Sequence, residues 1–154
     1  MTDITEGATA PEFELAGPAG PIRLRDFKGK PLVLYFYPKD DTSGCTREAQ
    51  DFTTAAADFA KAGAAVLGVS KDSLASHGKF RAKYDLAVQL GSDPDGTVVE
   101  SFGAWIEKNM YGRKYMGIDR STFLIDAAGT VRKIWRKVKV PGHVAEVLKA
   151  VQSL

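Results

Sequence analysis

Cys45 is the only cysteine in the 154 residues. An intrachain disulfide is therefore excluded, and so is every Cys-x-x-Cys reading, zinc ribbon or dithiol oxidoreductase alike. The two histidines, His77 and His143, stand far apart in sequence. That spacing argues against a His/Cys metal cage and makes both expected surface residues. Asp93-x-Asp95-Gly96 starts like a calcium loop but lacks the later ligands and the closing Glu, so it reads as a turn. What remains is the chemistry of one thiol. Its thiolate is both nucleophile and reductant, and its surroundings set its reactivity.

Those surroundings are Pro38-Lys-Asp-Asp-Thr42-Ser43-Gly44-Cys45-Thr46-Arg-Glu48. Thr42 supplies a hydroxyl one turn before the sulfur. Gly44 removes a side chain beside it, so a reactant and backbone donors can approach closely. Thr42 or Ser43 can also cap a helix that begins here. Cys45 then falls in the first turn, where unpaired N–H groups and the positive end of the helix dipole favour a thiolate. Glu48, an acid in that first turn, suits the same dipole. A buried, inert thiol is the competing reading of Cys45, and a strand terminator that of Pro38.

The flanking pattern must hold this loop in place. Leu32 to Tyr37 is a continuous β-branched and aromatic run ended by Pro38, which predicts a strand buried on both faces. Ala49, Phe52, Ala56, Phe59 and Gly63 recur at steps of three and four and predict one amphipathic helix. Ala64 to Val69 reads as a second buried strand, which completes a parallel βαβ unit. Upstream, Phe13 to Leu15 and Ile22 to Leu24 flank a Gly/Pro turn and predict a hairpin. Downstream come a helix over Ser73 to Tyr84 with a thin apolar stripe, a weak strand over Leu86 to Leu90, and a short helix over Thr97 to Phe102. A hairpin of Ser121 to Ile125 with Val131 to Trp135 follows. Val144, Val147, Leu148, Val151 and Leu154 mark a last helix. Trp105, Tyr111 and Tyr115 read as core or pocket wall. The order predicts one α/β domain over residues 1–154: a three-layer α/β/α arrangement of thioredoxin-like type, with a mixed central sheet and an N-terminal β-hairpin.

A single cysteine on such a fold, with a hydroxyl three residues before it, points to peroxide chemistry. The stretch Tyr35-Phe-Tyr-Pro-Lys-Asp-Asp-Thr-Ser-Gly-Cys-Thr-Arg-Glu48 resembles the active-site segment of the peroxiredoxins, Pro-x-x-x-Thr-x-x-Cys. It is most similar to the peroxiredoxin Q branch, also called bacterioferritin comigratory protein. Ser101-Phe-Gly-Ala-Trp-Ile-Glu-Lys, Tyr111-Gly-Arg-Lys-Tyr and Gly117-Ile-Asp-Arg120-Ser-Thr-Phe-Leu-Ile-Asp126 resemble that branch's central segment. Ile134-Trp-Arg-Lys-Val138 resembles its late strand. The resemblance implies a thiol peroxidase acting on hydrogen peroxide and organic hydroperoxides, with no metal, haem or flavin. It implies that Cys45 is the peroxidatic cysteine and that Thr42 binds the peroxide. Arg120 would stabilise the thiolate and the leaving oxygen, with Glu48 orienting it. Pro38 would shield the pocket, and the Gly44 and Cys45 N–H groups would be peroxide donors. From spacing alone, Arg120 reads only as a surface charge.

Two departures from the branch matter. Ser43 stands where many relatives have proline. A resolving cysteine, which many relatives place five residues on (Gln50 here) or on a later helix (near Val99 here), is absent. The resemblance then implies a one-cysteine cycle closed by an external thiol: glutathione with glutaredoxin, thioredoxin, or another low-molecular-weight thiol. A peroxide sensor without fast turnover and an inert thioredoxin-like module remain open.

Composition sets the outer bounds. With 44% hydrophobic and 26% charged residues the chain has ample core material, which excludes disorder. At this length a chain buries about 70% of its unfolded surface and needs no staple. A net charge of +2 does not by itself call for nucleic acid or membrane. The basic stretch Arg132 to Lys139 reads as a solvated strand. Met1 to Gly7 has no apolar h-region, and Leu32 to Tyr37 is too short to span a bilayer. The expectation is a cytoplasmic monomer.

Overall fold

A computed structural model describes residues 4–154; Met1 to Asp3, the start of the N-terminal stretch just read, lie outside the described residues. The apolar run becomes β3 (Leu32–Phe36), buried at every residue. Its alternation divides the core. Leu32, Leu34 and Phe36 point to one cluster, and Val33, Tyr35 and Tyr37 to the other. Around it lies a five-stranded sheet of order β5-β4-β3-β8-β9. Here β4 is Ala65–Ser70, β5 Gln89–Ser92, β8 Ser121–Ile125 and β9 Val131–Trp135. β4 runs parallel to β3 and to β5, while β8 is antiparallel to β3 and to β9, so the sheet is mixed.

One face is covered by the hairpin of β1 (Glu14–Leu15) and β2 (Ile22–Arg23), a 3-10 turn at Leu24–Phe27, and α4 (Thr97–Ser101). The other face carries α1 (Ser43–Thr54), α2 (Ala56–Lys61), α3 (Leu74–Tyr84) and α5 (His143–Gln152). The fold is thioredoxin-like. Among the described residues, no helix is long and apolar enough to cross a membrane.

Several expectations are corrected. The single helix predicted through Gly63 breaks at Ala55 (φ −92°, ψ 5°). Just before the break, the Thr53 hydroxyl donates to the Ala49 carbonyl at 2.8 Å and accepts from the Ala87 N–H at 3.1 Å, diverting the last turn of α1. The weak strand starts later, at Gln89, because left-handed Asp85 (φ 50°) ends α3 and pairing with β4 begins at Leu67–Gln89. A hairpin that the pattern did not suggest, β6 (Trp105–Met110) with β7 (Arg113–Ile118), turns at left-handed Tyr111 and Gly112. It projects from the core, so its strands show little inside-outside alternation. Tyr111 is fully exposed and Tyr115 exposed, and only Trp105 of the three aromatics packs on the core. His77 and His143 are not surface residues; both are buried. Partners distant in sequence satisfy them: Asp40 and the Gly91 carbonyl for His77, Thr122 for His143.

Candidate active site

β3 delivers its chain end to the loop before α1, where the Tyr37 N–H is still held by the Val69 carbonyl. Pro38 is exposed as the chain leaves the sheet. Asp41 then takes a left-handed conformation (φ 60°), while its carboxylate accepts from Lys83 and Tyr84 on α3. Thr42 has the extended backbone of an N-cap, and its carbonyl accepts the first helical bond from the Thr46 N–H at 2.8 Å. The Thr42 side chain does not cap the helix. Its hydroxyl donates to the Lys39 carbonyl at 2.8 Å, which leaves the oxygen lone pairs to accept from a ligand.

Cys45 is the third residue of α1, among N–H groups that have no intrahelical acceptor. It is 2% exposed, packed with Tyr35, Tyr37, Ala49 and Phe52. The group that meets its sulfur comes from 75 residues away: Arg120 Nη2 donates to Cys45 Sγ at 3.4 Å. Strand register explains the encounter. Phe36 pairs with Ser121, so the residue before β8 sits beside the end of β3. The Arg120 backbone is fixed from both sides, through Asp119 N–H to the Ala104 carbonyl and Val138 N–H to its own carbonyl. Its other arm, Nη1, donates to Glu48 Oε1 at 2.8 Å.

Glu48 is completely buried, and its Oε2 has no hydrogen-bond partner. Burial pushes its carboxyl up to about 7 despite the opposing pull of Arg120. Burial also works against the charge on Arg120, but Glu48 and Cys45 outweigh it and hold the guanidinium protonated. Gly44 has a clear role here. A Cβ at that position would lie 3.1 Å from Arg120 Nη2, so the missing side chain is the space the guanidinium uses. The arrangement places a fixed cation and free backbone donors around one sulfur, in surroundings largely closed to water. That is the environment that stabilises negative charge developing on an attacking thiolate and a leaving oxygen.

The sequence-predicted residues therefore divide by position. Cys45, Arg120, Glu48 and Gly44 meet directly. Thr42 lies one turn upstream with its hydroxyl turned to the loop, and Pro38 stands at the loop's entrance. Sequence reasoning missed the buried polar groups around them. Tyr35 presents a buried hydroxyl without a partner, its ionisation suppressed by burial and by Glu48 and Cys45. Asp40 and His77 sit beneath the loop. The only signal for His77 was the thin apolar stripe of α3, whose inner face is partly polar. Among the described residues, no group of three or more His, Cys, Asp and Glu is placed to hold a metal ion.

Comparison with known proteins adds to this geometry. Residues 7–134 match the model of the AhpC/TSA family. A putative peroxiredoxin bcp of Coxiella burnetii is 51% identical over 146 residues, covering 94% of this chain and 97% of its own. Peroxiredoxin Bcp of Bacillus subtilis is 49% identical over 149 residues, covering 96% and 95%. A solved structure of the Xanthomonas campestris bacterioferritin comigratory protein superposes with a TM-score of 0.87 at 47% identity, covering 92% and 90%. That work concerns the alkyl peroxide reduction activity of the Xanthomonas protein, seen through trapped intermediate and ligand complexes.

Proposed function

The chain belongs to the AhpC/TSA family, in its peroxiredoxin Q/Bcp branch, and from that premise we propose that Cys45 is the peroxidatic cysteine of a one-cysteine thiol peroxidase. Peroxiredoxins are thiol peroxidases, so the substrate is a peroxide and the electrons come from thiols. The Cys45 thiolate attacks one peroxide oxygen. An S–O bond forms as the O–O bond breaks, and the sulfur becomes a sulfenic acid. Hydroxide or alkoxide leaves and takes a proton to become water or alcohol. Arg120 stabilises the thiolate and the departing oxygen, and Glu48 aims it. The Thr42 hydroxyl and the Gly44 and Cys45 N–H groups hold the peroxide, with Pro38 at the rim of the pocket.

No second cysteine exists to form an internal disulfide. An outside thiol therefore displaces water from the sulfenic acid to give a mixed disulfide. A second thiol then releases Cys45 and leaves as the reductant's disulfide. Glutathione with glutaredoxin, thioredoxin, or another low-molecular-weight thiol suits this step. We place the enzyme in the cytoplasm, where a lone thiol stays reduced, as a monomer of one domain.

The observation that carries the reading is the 3.4 Å approach of Arg120 to the Cys45 sulfur at the start of a helix. Stopped-flow oxidation by hydrogen peroxide tests it. Arg120→Met is expected to slow thiol loss by about 100- to 1000-fold, the usual loss for removing one preorganised donor. A variant as fast as wild type would remove Arg120 from the reaction.

A further inference from the structure

The loop that presents Thr42 and Cys45 is fastened from below by a buried acid and a buried imidazole. Asp40 and His77 have side chains only 3% and 4% exposed. The Asp40 carboxylate accepts from the Tyr37 hydroxyl, from Ser76 Oγ at 2.8 Å and from His77 Nδ1 at 2.7 Å. Its backbone N–H donates to Asp72 Oδ2 at 2.8 Å, an oxygen that also accepts from Ser70 Oγ at 2.7 Å. His77 Nε2 lies 3.0 Å from the Gly91 carbonyl. One short loop is thereby tied to β3, to the end of β4, to α3 and to β5.

The imidazole is held at both ring nitrogens. Nδ1 faces the Asp40 carboxylate at 2.7 Å with the Tyr37 hydroxyl 3.4 Å away, and Nε2 faces the Gly91 carbonyl. Asp40 is the other member of the pair. Burial pushes its carboxyl up, but hydrogen bonds from His77, Tyr37 and Ser76 outweigh that and hold it below the usual carboxylate range. A buried pair of this kind is sensitive to loss of either member, because the other is left with a buried polar group unpaired.

We propose that Asp40 and His77 are positioning residues of the peroxidase reaction: their buried hydrogen-bonded pair holds the loop from Pro38 to Thr42 so that the Thr42 hydroxyl and the first-turn N–H groups converge on the Cys45 sulfur. The inference rests on the peroxidatic reading of Cys45. Neither residue touches peroxide. Both act through the loop, since Asp40 lies two residues before Thr42. Reaction at the sulfur needs an aligned approach, and a misplacement of about 1 Å costs roughly 100-fold in rate.

Asp40→Asn and His77→Gln remove the carboxylate and the imidazole at nearly constant size, and Ser76→Ala removes one hydroxyl hydrogen bond to Asp40. Two rates are measured on each full-length protein: oxidation of Cys45 by hydrogen peroxide, and its alkylation by iodoacetamide. Alkylation needs an accessible thiolate but no peroxide geometry. Peroxide oxidation is expected to fall about 100-fold in both the Asp40 and the His77 variant, while alkylation stays equal or rises as the loop loosens. The double variant should fall no further than the worse single one, because the two residues act as a unit. Ser76→Ala should lose less than about tenfold. Asp40 and His77 variants that keep wild-type peroxide rates would overturn the proposal. So would a parallel fall in both reactions, which would mark a general structural role. A wild-type protein oxidised no faster than free cysteine would instead strike the peroxidatic reading itself, before any variant is compared.

Discussion

At the scale of single residues, the site is built by a side chain that is missing as much as by those present. Gly44 lies within a helix, where alanine is the better helix former by about 1 kcal/mol. Its φ is not left-handed, so backbone strain does not demand glycine. The demand comes from Arg120, whose Nη2 would stand 3.1 Å from an added Cβ. Gly44→Ala is therefore expected to hold or raise stability by up to about 1 kcal/mol while it lowers the peroxide rate by roughly tenfold. Urea melts and stopped-flow oxidation check the two signs separately, and a fall in both would assign Gly44 a folding role. Thr42 makes a second case. Its hydroxyl is engaged with the Lys39 carbonyl rather than with the helix. Thr42→Val should slow oxidation by about 100-fold or more, and Thr42→Ser, which keeps the hydroxyl, should restore most of it. Equal rates for the two variants would show that the hydroxyl plays no part.

At the scale of elements, register does the assembling. Arg120 reaches Cys45 because β3 and β8 pair antiparallel with Phe36 opposite Ser121. On the other side Tyr35 pairs with Gly68, and a Cβ at Gly68 would meet the Tyr35 ring at 2.6 Å. Gly68→Ala must displace a fully buried ring stacked on Phe52, so it is expected to cost about 1–3 kcal/mol in chemical denaturation. A neutral result would mean that the ring has room to move. β3, β4 and the start of α1 were legible in the sequence because they are long apolar runs and sharp helix signals. The segment proposed as peroxidatic could be singled out because its candidate residues, Thr42 to Glu48, are adjacent in sequence. Arg120 was not legible from spacing, since only the sheet brings it near; its assignment needed the resemblance. Asp40 and His77 escaped for the same reason, being 37 residues apart until α3 packs under the loop. The β6–β7 hairpin escaped because most of its residues face solvent and carry no burial period.

At the scale of the whole molecule, two buried groups give stability opposite dependences on pH. Glu48 titrates near 7 when folded against 4.5 as its ordinary value, because burial disfavours its charge. Between those values the folded protein keeps a proton that the unfolded chain has lost, so this contribution falls as pH rises. His143, hydrogen-bonded to Thr122, is pushed down by burial to about 4 from an ordinary 6.5. Between those values the unfolded chain takes a proton that the folded protein refuses, so this contribution falls as pH drops. Each full arm is worth on the order of 3 kcal/mol. Glu48→Gln should therefore lose stability steadily from pH 6.5 down to 4.5, and His143→Gln should lose it over the same range upward. Wild type should be flatter than either. Unfolding curves of equal slope in all three proteins would contradict the burial argument. A cycle run on one sulfur leaves its record in the intact mass. Reduced protein receives one equivalent of hydrogen peroxide and then a small thiol. The expected sequence is one added oxygen per chain, then a mixed disulfide on Cys45, then return to the starting mass with continued peroxide consumption. An unchanged mass after peroxide, or a covalent dimer through Cys45 in place of the added oxygen, would contradict it.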